Sequence, residues 1–404
     1  MIITCTFFIE KNIEYCEKKK IFYVMRKDIV MNKLYLIFDQ IPSPESGGLV
    51  RMYLNICEYL KNDYEIEIIS IYNCDNDNLK QFKDYNITII NKFNIDNRFF
   101  KIGQYLKNFE MKKVLKAIIS ALIFFLYIPI CRQLLRKRFS KEKRIIVTSP
   151  AAAIFMSRKN RFILEVHTKY EYFWEGSFGA RLQVKLMPKP SLILFRSKAD
   201  AKKAENVGYN SNYIYNFAGA PLVPCYNYKK RKNNFIFIGR LDENKDPLHL
   251  IKIFEKLKKN GYFLHLDIYG SGDLETNLKE YIKNQDLKEI VSLKGFTTNK
   301  RIYENYTALL SASKNEGLPL TVLEAKRCGV PVIAFSWGDS TKEVIRNGVD
   351  GFIASNDEDF MEKIILLNED QEVLKEKSEN ANISYRTFSP EHFKKKFINY
   401  IESY

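Results

Sequence analysis

The chain has 404 residues, 46% of them hydrophobic and 14% aromatic, with a formal net charge of +16. That length accommodates two domains of ordinary size, each with its own core, and the apolar content excludes an intrinsically disordered chain. The seven cysteines (Cys5, Cys16, Cys57, Cys74, Cys131, Cys225 and Cys328) are odd in number and scattered, with no C-x-x-C pair. This argues against a disulfide framework or a structural zinc, and for a reduced, cytoplasmic chain whose cysteines are small core residues.

Residues 1–30 carry no clear period and no small-residue cleavage site, so they do not read as a signal peptide. Met31 opens "MNKLYLIFDQIPSPESGG", the start of a strand-first domain, which leaves residues 1–30 as an expected extension outside the fold. A first series of apolar strands is predicted at 33–38, 64–72, 86–90, 144–149, 161–166 and 191–195, with helices such as 49–61 and 198–207 between them. "PESGGLVRMYLNICEYL" sets Gly47 and Gly48 before a helix start, as a backbone cradle or a plain turn. Asp75-Asn76-Asp77 satisfies D-x-D, but in an Asn-rich stretch after a strand it reads as a loop.

The positive charge is concentrated. Between Lys101 and Arg144 stand twelve Lys and Arg against two acids, Glu110 and Glu142, a net +10. Within this stretch lies "AIISALIFFLYIPIC", Ala117 to Cys131, without a charge. Spanning a membrane takes about 20 apolar residues, so the run is short, and it contains Pro129. It reads either as a buried helix with a solvated basic end or as a greasy, basic element that docks on anionic lipid. A nucleic-acid surface ranks last, for want of a recognition motif.

His167 follows the strand "FILEV" and so projects from a strand's carboxyl end, which suits a catalytic or sugar-contacting role as well as a structural one. The domain boundary is expected in 216–233, rich in Pro, Gly and charge. A second series of strands follows at 234–239, 263–270, 290–295, 308–313, 331–336 and 351–355, with an amphipathic helix over 246–259. Ser389 and Pro390 open a last helix as N-cap and first-turn residue. Two strand–helix series predict two parallel sheets, each covered on both faces, that enclose a cleft at their carboxyl edges.

In the second series "IFIGRLDENKDP" supplies Gly239, Arg240 and, five positions on, Lys245. Two fixed cations at a sheet's carboxyl edge suit a leaving diphosphate, although such a pair by itself also fits solvated surface. "YGSGD" places Gly270, Ser271 and Gly272 in a turn between strand and helix, a weak signal taken alone. "EGLPLTVLE" sets Glu316 before, and Glu324 inside, a helix expected to begin at Leu318 or Pro319. From Pro319 to Glu324 is about 7.5 Å of helix axis. Two carboxylates at that separation can hold hydroxyls at the two ends of a sugar nucleotide, with an anion at the helix's free N–H groups between them.

These segments together resemble glycosyltransferase family 4, the retaining enzymes of the GT-B fold. The signature is E-x7-E in "EGLPLTVLE", followed by "AKRCGVPVIAF", preceded by "GRLDENKDP" and succeeded by "STKEVIRNGVDGFIAS". The resemblance runs from Lys33 to the C-terminus and is strongest from Phe235 to Ile353. It implies an α/β protein of two facing Rossmann-like domains, residues 31–217 for the acceptor and 218–388 for the nucleotide sugar, with a C-terminal helix (389–404) that crosses back to the first. It implies a hexosyltransferase with a nucleotide-sugar donor, UDP ahead of GDP, no metal and no cofactor, and a glycan or lipid-linked acceptor in cell-surface polysaccharide synthesis. The enzyme would sit peripherally at the cytoplasmic face of the membrane.

Carried over by position, Arg240 and Lys245 match the diphosphate pair, Glu324 the acid on the ribose and Glu316 the acid at the donor sugar. Gly317, Leu318, Pro319, Leu320 and Thr321 match the helix start. Gly239, Gly270, Ser271, Gly272 and Phe296 match the loops around the nucleotide, His167 matches the first-domain histidine, and Gly47 and Gly48 the acceptor-side loop. The sequence departs from that pattern at "WGDSTKE", where a Gly-rich turn is usual, and at His167-Thr168. A nucleotide-sugar epimerase of the same shape and a non-catalytic partner subunit are the alternative readings. Paired transferase segments speak against the first, and retention of Arg240, Lys245, Glu316 and Glu324 against the second.

Overall fold

The computed structural model describes residues 32–42, 48–90, 111–140, 142, 144–219, 231, 233–299 and 301–404. The expected N-terminal extension, Gly47, the first part of the basic stretch and most of the expected linker lie outside the described residues.

Two parallel sheets account for the architecture. The first comprises β1 (Asn32–Phe38), β2 (Tyr64–Ser70), β3 (Asn86–Ile89), β4 (Ile145–Val147), β5 (Ile163–Val166), β6 (Leu192–Phe195) and β7 (Ser211–Tyr213), in the order β3-β2-β1-β4-β5-β6-β7. The second comprises β8 (Asn234–Ile238), β9 (His265–Tyr269), β10 (Val291–Gly295), β11 (Ala308–Ser311), β12 (Val332–Phe335) and β13 (Gly351–Ala354), in the order β10-β9-β8-β11-β12-β13. Every strand expected from the apolar runs is present. The short polar β7, "SNY", is an addition to them, because three residues without an apolar period carry no strand signal.

Strands buried on both faces explain the continuous apolar runs: Leu34 to Phe38 are all buried, with Leu34 opposite Ile66 in β2. Each sheet reverses its winding once, at β1/β4 and at β8/β11. Crevices for ligands form at the carboxyl ends of strands where such a reversal occurs. The loops after β1, β8 and β11 carry Gly48, Arg240 to Lys245 and Glu316 to Pro319, so topology alone delivers the candidate residues to one region.

The last helix, Pro390–Ser403, is capped by Ser389, whose hydroxyl accepts from the His392 N–H, and it lies on the first domain. Glu402 takes Arg144 at 2.7 and 2.8 Å and the Tyr64 hydroxyl at 2.6 Å, and Lys394 pairs with Asp63 at 2.6 Å. The D-x-D stretch departs from the loop reading: Asp75 precedes a five-residue helix, Asn76–Lys80, in which the exposed Asp77 pairs with Lys80 at 2.7 Å.

The apolar run at 117–131 is part of a longer helix, Met111–Arg138, which continues through Pro129. Ala117, Phe124, Ile128, Cys131 and Leu135 face the first domain's core at spacings of three, four and seven, one stripe of a helix that the buried Val114 extends. The buried-helix reading accounts for this stripe only. Leu115, Leu122 and Leu126 point outward at 61, 62 and 73% exposure, and Ile119, Ile130 and Leu134 are close to half exposed. The helix is therefore apolar on both sides but packed on one. By length and composition it is, among the described residues, the one helix that would pass for a membrane span.

Candidate active site

The carboxyl end of β8 turns immediately into Gly239 and Arg240, and the loop after β9 is stitched to it. Leu241 N–H donates to the Ser271 carbonyl at 2.9 Å, and Leu274 N–H donates to the Leu241 carbonyl at 3.0 Å. Gly270 and Gly272 both have positive φ, and a Cβ on either would collide with backbone, 1.8 Å from the Gly239 oxygen and 2.5 Å from the Leu241 oxygen. The G-x-G spacing is thus explained by close approach of two backbones, which shapes the loop that carries Arg240. Asp242 organises that loop: it pairs with Arg240 at 2.9 Å and accepts from the Lys245 N–H at 2.9 Å.

Lys245 reaches across to Glu316 and forms an ion pair with it, both side chains largely buried. Arg240 does not join that pair; its side chain is 60% exposed and pairs with Asp242. The helix begins at Leu320 with Pro319 as its N-cap, one to two residues later than the sequence suggests, and runs to Arg327. Pro319 has ψ of 126°, extended rather than helical, so the ring closes the loop instead of opening the first turn. Thr321 lies in the first turn, half-buried, and Asn216 donates to the Leu318 carbonyl at 2.8 Å. Phe296 stands 64% exposed beyond the end of β10.

Glu324 is buried, with the Tyr303 hydroxyl donating to Oε2 at 2.7 Å and Arg51 pairing with Oε1 at 2.6 Å. Arg51 belongs to the helix Gly48–Leu60 of the first domain. The domains also meet at Gly317, where a Cβ would sit 2.6 Å from the His167 carbonyl oxygen, and near Gly48, where a Cβ would stand 3.7 Å from the Leu320 side chain. In place of the usual Gly-rich turn, Trp337 is buried and donates from Nε1 to Ser340 at 3.1 Å.

His167 stands in a buried network. The Tyr53 hydroxyl lies 2.8 Å from its Nε2 and donates to Glu165 at 2.8 Å, Arg196 donates to its Nδ1 at 3.2 Å, and Arg196 pairs with Glu165 at 2.6 Å. Burial, reinforced by the Arg196 charge, takes the imidazole down to about 4, so it is neutral at pH 7. Burial alone would raise the Glu165 carboxyl, but the Arg196 charge, with lesser help from His167 3.8 Å away and the Tyr53 hydrogen bond, brings it down to about 2.

Sequence reasoning missed Arg51, Tyr303, Asp242 and the Tyr53–Glu165–Arg196 network. Glu165 left a signal: a lone carboxylate inside an apolar strand demands a buried cation, and at i, i+2 it shares a strand face with His167. Arg51 left none.

Residues 226–383 match the model of one protein family, Glycosyl transferases group 1. That match falls within the second domain. Over nearly its whole length the chain is similar to an uncharacterized glycosyltransferase of Haemophilus influenzae, 24% identical across 84% of this chain and 91% of that one. An N-acetylgalactosaminyltransferase of Campylobacter jejuni that acts on an undecaprenol-diphosphate-linked glycan is 30% identical, over 43% of this chain and 48% of that protein. The poly(glycerol-phosphate) alpha-glucosyltransferase of Bacillus subtilis is 30% identical over 40% of this chain and 24% of that protein, so the chain spans a minor part of these last two. Among solved structures, S. aureus TarM in complex with UDP superposes with a TM-score of 0.70 at 15% identity, covering 92% of this chain and 100% of that chain. Anabaena HepE with UDP-glucose gives 0.68 at 16%, covering 92% and 100%. The fold is GT-B.

Proposed function

We propose that the protein is a retaining hexosyltransferase of glycosyltransferase family 4 that needs no metal and moves a sugar from a UDP-linked donor to a lipid-carried or polymeric glycan. The observation that carries this reading is the Lys245–Glu316 pair at the start of the helix Leu320–Arg327, with Glu324 inside the same helix and Gly317 against His167 of the other domain. A sugar held at Glu316 and a ribose held at Glu324 set the diphosphate at the helix start, beside Lys245 and within reach of the exposed Arg240. The relatives that act on undecaprenol-linked and poly(glycerol-phosphate) acceptors support a cell-surface glycan as the product.

For retention we favour attack from the leaving group's own face. The anomeric C–O bond to the diphosphate breaks, the acceptor oxygen bonds to the same face, and a diphosphate oxygen takes the acceptor's proton. Lys245, Arg240 and the helix N–H groups stabilise the charge that develops on the departing diphosphate. His167, neutral at pH 7 and with both ring nitrogens taken by Tyr53 and Arg196, contributes shape to the sugar side rather than charge. A thermal-shift panel of nucleotide sugars tests the reading, since a donor at 100 times its Kd adds about 2.7 kcal/mol of stability. Absence of any shift across UDP and GDP sugars rejects it, and the anomeric configuration of the product, read by NMR, tests retention.

The interdomain closure at residue 317 yields a sharper expectation. A methyl there meets backbone, which cannot swing aside, so Gly317→Ala pushes the domains apart at the sugar. Misplacement on the order of 1 Å lowers kcat/KM by roughly a hundredfold, read by steady-state kinetics on protein whose circular dichroism matches wild type.

The membrane enters through the helix Met111–Arg138. Its outer leucines and isoleucines, flanked by Lys112, Lys113, Lys116, Arg136, Lys137 and Arg138, match the acyl and headgroup zones of an anionic leaflet. Sedimentation with phosphatidylglycerol-containing liposomes at physiological salt recovers the wild type in the pellet, and Leu122→Glu with Leu126→Glu leaves it in the supernatant. Wild type that ignores such liposomes removes the membrane from the proposal.

A further inference from the structure

Glu324 is the more deeply buried of the two acids at the helix, and a buried carboxylate needs compensation from both sides. On the inner side Tyr303, itself 1% exposed, supplies a hydroxyl at 2.7 Å. On the other side the compensation comes from the other domain: the guanidinium of Arg51, whose side chain is 36% exposed, pairs with Oε1 at 2.6 Å. Arg51 lies in the first turn of the helix Gly48–Leu60, and a Cβ at Gly48 would stand 3.7 Å from the Leu320 side chain, so the starts of two helices from opposite domains lie close and Arg51 bridges them to Glu324. A diol that approaches Glu324 from the cleft therefore meets Arg51 before it meets the carboxylate.

We propose that Arg51 is an interdomain latch: it holds Glu324 and the two helix starts together before the donor arrives, and donor binding displaces it. This inference rests on the reading of Glu324 as the acid on the donor ribose. The guanidinium and the ribose hydroxyls want the same lone pairs, so the protein with Arg51 engaged is a state with lowered donor affinity, and the apparent Kd is the intrinsic one divided by the fraction of molecules with Arg51 disengaged. Once displaced, Arg51 remains beside the Gly48 helix start with its charge free, so that arrival of the donor loosens one domain contact as it fills the site. Arg51 acts through Glu324 and is a positioning residue; it takes no part in the bond-breaking step.

The test is isothermal titration with UDP and with GDP on the full chain as wild type, Arg51→Met, Arg51→Lys and Glu324→Gln. Arg51→Met keeps the length of the stem and removes the charge. It is expected to bind nucleoside diphosphate about tenfold tighter than wild type, with KM for the donor reduced in step, while Arg51→Lys falls between and Glu324→Gln binds more weakly than wild type. A residue that merely props up the fold cannot give a gain of affinity on removal. Binding by Arg51→Met that equals or falls below wild type overturns the latch and leaves the donor site standing. If Arg51→Met does not fold, Arg51→Lys decides by the same criterion. Should Glu324→Gln bind as tightly as wild type, or none of the four bind either nucleotide, the donor reading fails and takes the latch with it.

Discussion

Lys245→Ala is expected to cut turnover at least a hundredfold in a protein that remains folded. Lys245 is largely buried against Glu316, at the helix start to which the proposed function assigns the diphosphate. Removing one preorganised donor of this kind typically costs ~3–4 kcal/mol of transition-state stabilisation. The local backbone does not depend on the side chain: the Lys245 N–H is held by Asp242 at 2.9 Å, and the helix Pro247–Lys259 buries its own apolar face through Leu250, Ile251, Phe254 and Leu257. Steady-state turnover with the donor identified by thermal shift, alongside far-ultraviolet circular dichroism, separates chemistry from folding. Near-normal turnover would refute the role.

The second large effect is on stability. Glu165 and Arg196 are both fully buried, and Glu165→Ala would strand the guanidinium without its carboxylate, at a cost of about 3–5 kcal/mol. The same network gives the protein a signed response to acid. His167 is held down to about 4 against an ordinary 6.5, so below pH 6.5 the unfolded chain takes up a proton that the folded one refuses, and stability falls as pH falls through that window. Glu165, depressed to about 2 from an ordinary 4.5, contributes its stability fully above 4.5 and loses it as pH falls from there toward 2. Urea unfolding at pH 5 and pH 7 is expected to differ by about 2 kcal/mol through His167 alone, and that difference disappears in His167→Gln.

Strand positions were legible because runs such as Leu34–Phe38 and Phe235–Phe237 are buried on both faces, and an uninterrupted apolar run of that length belongs in a doubly covered sheet. Loop chemistry was legible where a residue type is obligatory. Gly270 and Gly272 are glycines because backbone lies where a Cβ would be; the pairing of Lys245 with Glu316 was not legible, since the sequence sets Lys245 with Arg240 on the diphosphate. The helix boundary at Leu320 was not legible to the residue, since proline fits both the first turn and the cap, and only the chain's path after β11 selects between them. The helix Met111–Arg138 divides the two readings offered for it: an apolar period cannot say whether a face meets the core, lipid or water, and here one stripe is packed and the rest is bare.

The amino-acid sequence by itself determined two wound parallel sheets, the loops that reach their carboxyl edges, and the pair of acids around one helix start. These follow from interactions between residues close in the chain, where period, turn type and capping act. The tertiary structure decided which charges stand together. Arg51 with Glu324, Arg196 with Glu165 and Gly317 against His167 join residues separated by 273, 31 and 150 positions. Such pairings arise only when separately built elements close on each other, and burial then turns an ordinary surface cation into the partner that a carboxylate cannot do without.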